Sequence, residues 1–189
     1  MPEASSRTSR RAEIVRAAIR AFARGGFEGT TLADIAKEAG VSQPRISQIF
    51  GNKENAFVEA HQEASEQLTG MLRASATAPF SARKILDGYY DIVSRDPDAM
   101  MMCFRGFASA GVPRIGEDAR RVFHEVIDMV VTRGGGSYAD ALDLLGRGFA
   151  IYHVLAADLP GHVDESEHFA GLLRELRNDG AGDEIPVTD

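Results

Sequence analysis

Gln43, Arg45, Ser47 and Gln48 fall within six residues around the apolar Ile46. Arginine donates two parallel hydrogen bonds to the edge of a guanine, and glutamine pairs with the donor and acceptor of an adenine. On the second helix of a two-helix turn these four side chains point outward, while Ile46 faces the small core. They therefore need a helix that is held from behind. Ser42 stands as its N-cap, and Pro44 is tolerated in the first turn because its missing N–H would be unpaired there anyway. Ahead of it runs Ala39-Gly40-Val41, where Gly40 permits the positive φ of a sharp turn and Val41 fills the angle between two helices. A preceding short helix starts at Thr31, with Asp34 three residues on in a capping-box arrangement and Leu32, Ile35 and Ala36 facing inward. Ile35, Val41 and Ile46 then make one small core. The pattern is a helix-turn-helix, whose second helix fits the major groove of duplex DNA.

The remaining elements also read as helix. Pro2–Ser9 is a Ser- and Arg-rich arm expected to be disordered when unbound. From Arg10 to Arg24 the residues Ile14, Val15, Ala18, Ile19 and Phe22 recur at helical spacing, and Gly25-Gly26 ends the run. Gly51-Asn52 breaks and recaps, and a long helix follows from Lys53 to Ala76. Pro79, Pro97, Pro113 and Pro160 punctuate the rest, leaving helices near 80–95, 97–110, 116–133, 138–158 and 164–178, with a frayed tail after Asn178. Period-two strand alternation is absent. The expected fold is all-α, divided into 1–52, an N-terminal arm and helix-turn-helix head, and 53–189, a helical body of about six helices.

The net charge of −7 at first argues against a polyanion partner, but its distribution reverses that. Residues 1–53 carry nine Lys/Arg against five Asp/Glu, whereas residues 54–189 carry twelve against twenty-three. A basic head on an acidic body focuses attraction for phosphates at one end. Hydrophobic content of 44% over 189 residues is that of a soluble globular chain, and no apolar run approaches the ~20 residues of a spanning helix. The polar first ten residues lack the apolar centre of a signal peptide, so the chain is expected to be a cytoplasmic protein with no membrane partner. Cys103 is the only cysteine, which excludes an intrachain disulfide and a thiol-based zinc site.

The wider stretch Ile14-x3-Ala18-x3-Phe22-x2-Gly25, Phe27-x2-Thr30-Thr31-x3-Ile35-Ala36-x2-Ala39-Gly40-Val41-Ser42, then Ile46-x3-Phe50-x2-Lys53-Glu54, resembles the DNA-binding domain of the tetracycline-repressor (TetR) family. The resemblance covers residues 10 to 57. It implies a three-helix DNA head, a helical body, a homodimer, and repression of an operator that a small molecule relieves. By position it implies phosphate contacts at Thr31 and Lys53, where helix N-termini present unpaired N–H groups to anions. The family usually has an aromatic residue, most often tyrosine, where this chain has Ser47, and His or a bulky polar residue where it has Ile49. Either Ser47 donates a shorter-range bond there, or Arg45 and Gln48 carry more of the readout.

In the body, Leu142, Leu145, Phe149, Tyr152, Ala156 and Leu159 repeat at spacings of three and four, and so do Ala141, Leu144, Gly148, Ile151 and Leu155, one residue out of phase. One face suits the chain's own core. The other wants a second helix, and Phe169, Leu172, Leu173 and Leu176 offer a matching stripe for a four-helix dimer interface. Tyr89, Met100, Cys103, Phe104, Phe107 and Phe123 would line a pocket for a flexible apolar effector, and they would serve equally as ordinary core. Met100 to Met102 fan over most of a turn and cannot gather on one copper ion; His124 and Asp128 have metal-compatible spacing but no third partner. No metal or other cofactor is expected. No nucleophile elbow or phosphate loop occurs, so enzyme activity is not expected. The alternative to an effector-released repressor is a DNA-binding regulator without a small-molecule ligand, acting as an activator or through a protein partner.

Overall fold

The computed structural model describes residues 2–75 and 79–178, and among these there is no strand. The elements in order are α1 (Pro2–Gly29), α2 (Leu32–Ala39), α3 (Gln43–Phe50), α4 (Lys53–Ser75), α5 (Ala82–Arg95), α6 (Pro97–Ala108), α7 (Pro113–Asp128) with a π turn at Met129–Arg133, α8 (Tyr138–Ala156), a 3-10 turn at Leu159–Glu165, and α9 (Glu167–Asn178). The expected all-α layout is present. Ala76, the expected end of the long helix, and the tail after Asn178 lie outside the described residues.

Boundaries moved where local chemistry outweighed periodicity. The first helix begins at Pro2, not Arg10, so the expected disordered arm is helical. Proline presets the helical φ at a first position, and Ala, Glu and Arg follow with no glycine before Gly25. α7 starts at Pro113 for the same reason, three residues earlier than expected. Beyond α8, Asp158 takes a left-handed conformation (φ 51°), and Pro160 and Gly161 follow. A 3-10 turn replaces the expected start of the last helix at 164, and α9 begins only at Glu167.

Packing gathers the chain into two compact units, residues 1–68 with 96–123 and residues 69–95 with 124–189. This differs from a division at residue 52, because α6 and most of α7 share a core with α1 to α4. That core holds Ile14, Ile19, Phe22, Ile35, Ile46, Phe57, Met102, Cys103 and Ile115, each at most 3% exposed. Phe57 is its centre, meeting Phe22 edge-on at 4.9 Å between ring centroids and Phe27 at 5.3 Å. Each such side chain contributes about 1.5–3 kcal/mol by leaving water.

In the second unit, Ile85, Leu86, Tyr89 and Val93 of α5 are buried, as are Ala141, Leu144, Ile151 and Val154 of α8. The Tyr89 hydroxyl donates to the Gly148 carbonyl at 3.1 Å, which ties α5 to α8. α8 opens with a capping box: Ser137 accepts from the Asp140 N–H, and Asp140 accepts from the Ser137 N–H at 2.7 Å.

Candidate nucleic-acid interface

The helix-turn-helix is built as its residue types require. At the start of α2, Thr31 accepts from the Asp34 N–H at 3.2 Å, while Asp34 accepts from the Thr31 N–H at 2.9 Å. The Thr31 hydroxyl also donates to the Asp34 carboxylate at 2.7 Å, and with the Thr31 N–H it holds that carboxyl below its usual range. Gly40 closes the helix at φ 63°, a left-handed position that a side chain would strain. Its N–H and that of Val41 return to the carbonyls of Lys37 and Ala36. Ile35 and Ile46 are fully buried, and Val41 packs against the same cluster.

α3 thus stands on an apolar base with its other side outward. Gln43, Arg45 and Gln48 are exposed, and Ser47 is half-buried. Arg45 Nη1 donates to Gln48 Oε1 at 2.7 Å. Ser42 occupies the N-cap position with extended backbone, but its side chain does not cap the helix. Ile49 is half-buried and packs on the core cluster, which accounts for an apolar residue at that position.

α4 starts where Asn52 Oδ1 accepts from the Asn55 N–H at 2.8 Å, and Asn55 Nδ2 donates back to the Phe50 carbonyl at 2.9 Å. One asparagine therefore closes α3 while belonging to α4. Lys53 is half-buried, with Nζ 4.5 Å from the centre of the Phe27 ring. Its charge is held beside the first turn of α4 by a cation–π contact. Between α1 and α2, Glu38 accepts from Arg20 Nε at 2.6 Å and also pairs with Arg24; these bonds hold its carboxyl below the usual range. Thr31, Gln43, Arg45, Gln48 and Lys53 thus fall on the elements assigned to them, around one turn.

Of the six expected pocket residues, Tyr89 belongs to the second unit and the other five to the first. Phe107 packs edge-on against Phe123 at 4.8 Å and against Phe104 at 6.4 Å. Met100 and Cys103 are buried. Burial pushes the Cys103 thiol up to about 12 despite a hydrogen bond with Ser65, so its reactive thiolate is suppressed at neutral pH. On α8 the two stripes separate in part. Ala141, Leu144 and Ile151 are buried and Gly148 and Leu155 half-buried, whereas Leu142 is 73% exposed and Leu145, Phe149 and Tyr152 are half-buried. On α9, Leu172 is exposed, and Phe169 and Leu176 are half-buried.

Two polar residues of the core escaped the reading of the sequence. His61 and Asp118 are 1% and 5% exposed, with Nδ1 2.5 Å from Oδ2, and His61 Nε2 lies 3.3 Å from the Cys103 carbonyl. Each nitrogen of the ring thus faces an oxygen atom of the core. Burial by itself would raise the Asp118 carboxyl, but hydrogen bonds from His61, Arg121 and Gln62 outweigh it and bring it down to about 2. The available signal was a charged residue on an apolar stripe: Asp118 lies between Ile115 and Val122, and His61 one turn beyond Phe57.

Comparison with known proteins agrees with this geometry. The sequence model described as bacterial regulatory proteins, tetR family, matches residues 14–60. The HTH-type transcriptional regulator BetI of Burkholderia thailandensis is 39% identical over 86 residues, a match that takes in 44% of this chain and 44% of BetI, less than half of that relative's length. Among solved structures, a TetR family member from Streptomyces coelicolor A3 superposes with a TM-score of 0.64 at 21% identity, over 87% of this chain and 96% of that one. The fatty acid degradation regulator FadR from Bacillus halodurans gives 0.61 at 15% identity, over 92% and 95%. At these identities the structures show a shared fold. With a helix-turn-helix of matching sequence on that fold, residues 14–60 are similar to the DNA-binding region of bacterial regulatory proteins of the tetR family.

Proposed function

We propose that the chain represses transcription by binding a palindromic operator in double-stranded DNA as a homodimer, and that a small, largely apolar effector releases it. Residues 1–52, with Lys53 at the start of α4, supply the DNA contacts, and the rest of 53–189 supplies dimerisation and effector response. The observation that carries this reading is the outward side of α3. Gln43, Arg45 and Gln48 are exposed on a helix fixed from behind by Ile35 and Ile46. Thr31, Ser42, Ser47 and the start of α4 at Lys53 flank them as phosphate and backbone contacts. Leu142, Leu145, Phe149 and Tyr152 with Phe169, Leu172 and Leu176 form the dimer interface, supported by the exposure of Leu142 and Leu172 in the single chain. Two heads then meet half-sites about one helical turn, or roughly 34–36 Å, apart.

Sequencing of genomic fragments retained by the purified protein tests the DNA reading directly. Recovery of a common inverted repeat supports it, and retention of no fragment above background overturns it. For the effector, compounds that raise the melting temperature are then titrated against operator affinity. Tenfold weaker DNA binding requires about 1.4 kcal/mol of coupling, and operator DNA must weaken the compound's binding by the same factor. The burial of Met100 and Cys103 favours, at those two positions, the second reading of a regulator without a small-molecule ligand. A saturating ligand that leaves operator affinity unchanged would decide for it.

A further inference from the structure

The end of α1 is closed by side chains from elsewhere in the chain. At Gly26 the backbone leaves helical geometry (φ 65°, ψ −175°), which interrupts the ladder of amides at the end of the helix. Three carbonyls of the turn before the break accept from side chains. Thr30 Oγ1 donates to the Ala21 carbonyl at 3.2 Å, and Arg105 donates from Nε to Ala23 at 3.2 Å and from Nη2 to Arg24 at 3.4 Å. Arg105 also brings a positive charge to the negative end of the helix dipole. It comes from the last turn of α6, far away in the sequence.

That turn of α6 is itself clamped just beyond Arg105. Gly106 lies so close to the His61 ring of α4 that a Cβ there would collide with it. Phe107 packs edge-on with Phe123 and with the His61 ring. The guanidinium is therefore delivered from a fixed support to the point where α1 gives way to Thr30 and Thr31, the entry to α2. α1 and α2 are joined through Glu38, by arginines that are 41% and 59% exposed and open to solvent competition, and through the buried Phe22, Ile35 and Ala36. Arg105 instead ties the end of α1 to α6, from a turn anchored in the core.

The geometry points to Arg105 as a positioning residue for DNA recognition, which sets the angle at which α2 and α3 leave α1 without touching DNA itself. This rests on the proposed reading of α3 as the base-contacting helix. Arg105→Met keeps much of the aliphatic stem and removes the donors. It is expected to weaken binding to a duplex selected from a random pool by the wild-type protein about tenfold. Affinity for a scrambled duplex of the same length should change less than twofold. Amide exchange should quicken at residues 25–31 and stay unchanged at Ala56–Ala64. Arg105→Lys keeps the charge without the two-carbonyl fork and should recover part of the loss. Equal losses on both duplexes with faster exchange throughout the chain would make Arg105 a merely structural residue and overturn the inference. So would unchanged exchange at residues 25–31. If Arg105→Met does not fold, the same two measurements on Arg105→Lys decide, with an intermediate local effect expected. Should the wild type select no duplex at all, the DNA reading fails, and local exchange at residues 25–31 still judges the coupling of α6 to α1.

Discussion

Arg45 donates to Gln48 across one turn of α3 at 2.7 Å, so the two side chains expected to read bases hold each other's orientation. Each substitution to alanine should cost about 1–3 kcal/mol on the operator and relax preference at particular bases. Because each residue orients the other, the double variant should lose less than the two single losses combined, by more than about 0.5 kcal/mol. A double-mutant cycle of operator affinity measures this. Strict additivity would mean that the Arg45–Gln48 bond does not persist in the complex, and equal losses on random DNA would remove the base-reading assignment.

Lys53 makes a different kind of contribution. Lys53→Ala should weaken binding to every sequence alike and flatten the salt dependence by about one unit of slope. Phe27→Leu removes the ring beneath the ammonium but leaves the charge, so the slope should stay while affinity falls slightly. Affinities over a series of salt concentrations separate the two variants.

Leu142 offers a cleaner test of dimerisation than Phe149, since it is 73% exposed in the single chain and a charge there does not disturb the subunit's own core. Leu142→Glu would place an unpaired ion in the proposed interface, which is costly. Sedimentation should find folded monomers with weakened operator binding. A wild type that sediments as a monomer at micromolar concentration contradicts the homodimer.

The His61–Asp118 pair makes stability depend on pH in a defined window. In the folded chain the Asp118 carboxyl titrates at about 2, below its ordinary 3.8, so between these values the unfolded chain binds more protons. The contribution, on the order of 2 kcal/mol, is full above about pH 4 and disappears as the pH falls through 2. Asp118→Asn should therefore destabilise the protein at pH 7, and its deficit should shrink towards pH 2. His61→Ala leaves a buried carboxylate short of its main partner and should cost about 3–5 kcal/mol. Denaturant melts at a series of pH values check both, and a deficit for Asp118→Asn that does not change with pH would show that the carboxylate's charge is not what stabilises.

The sequence disclosed most where local rules act alone. Thr31 with Asp34, Gly40 and the run of Ile14, Ile19 and Phe22 each follow from capping, backbone conformation or helical period, and each appears as read. The two stripes of α8 were legible in part because a one-residue phase shift is a rotation of known size. What escaped were pairings across long separations. His61 finds Asp118 and Ala23 finds Arg105 only once the fold is made, and no local spacing encodes either. Which unit each expected pocket residue enters was not legible for a related reason. Aromatic and methionine content marks apolar environments without saying which core each side chain enters.

The shared core of the first unit also bears on how the chain is made. Met102, Cys103 and Ile115 pack with Phe22 and Phe57, and the capping of α1 awaits Arg105. A ribosome that has just released the helix-turn-helix has not yet supplied these partners, and closing so long a loop is slow compared with forming the helices themselves. The nascent head emerges with its helices formed locally and part of its apolar surface still open to chaperones. A fragment cut after residue 68 would stay in that half-finished condition.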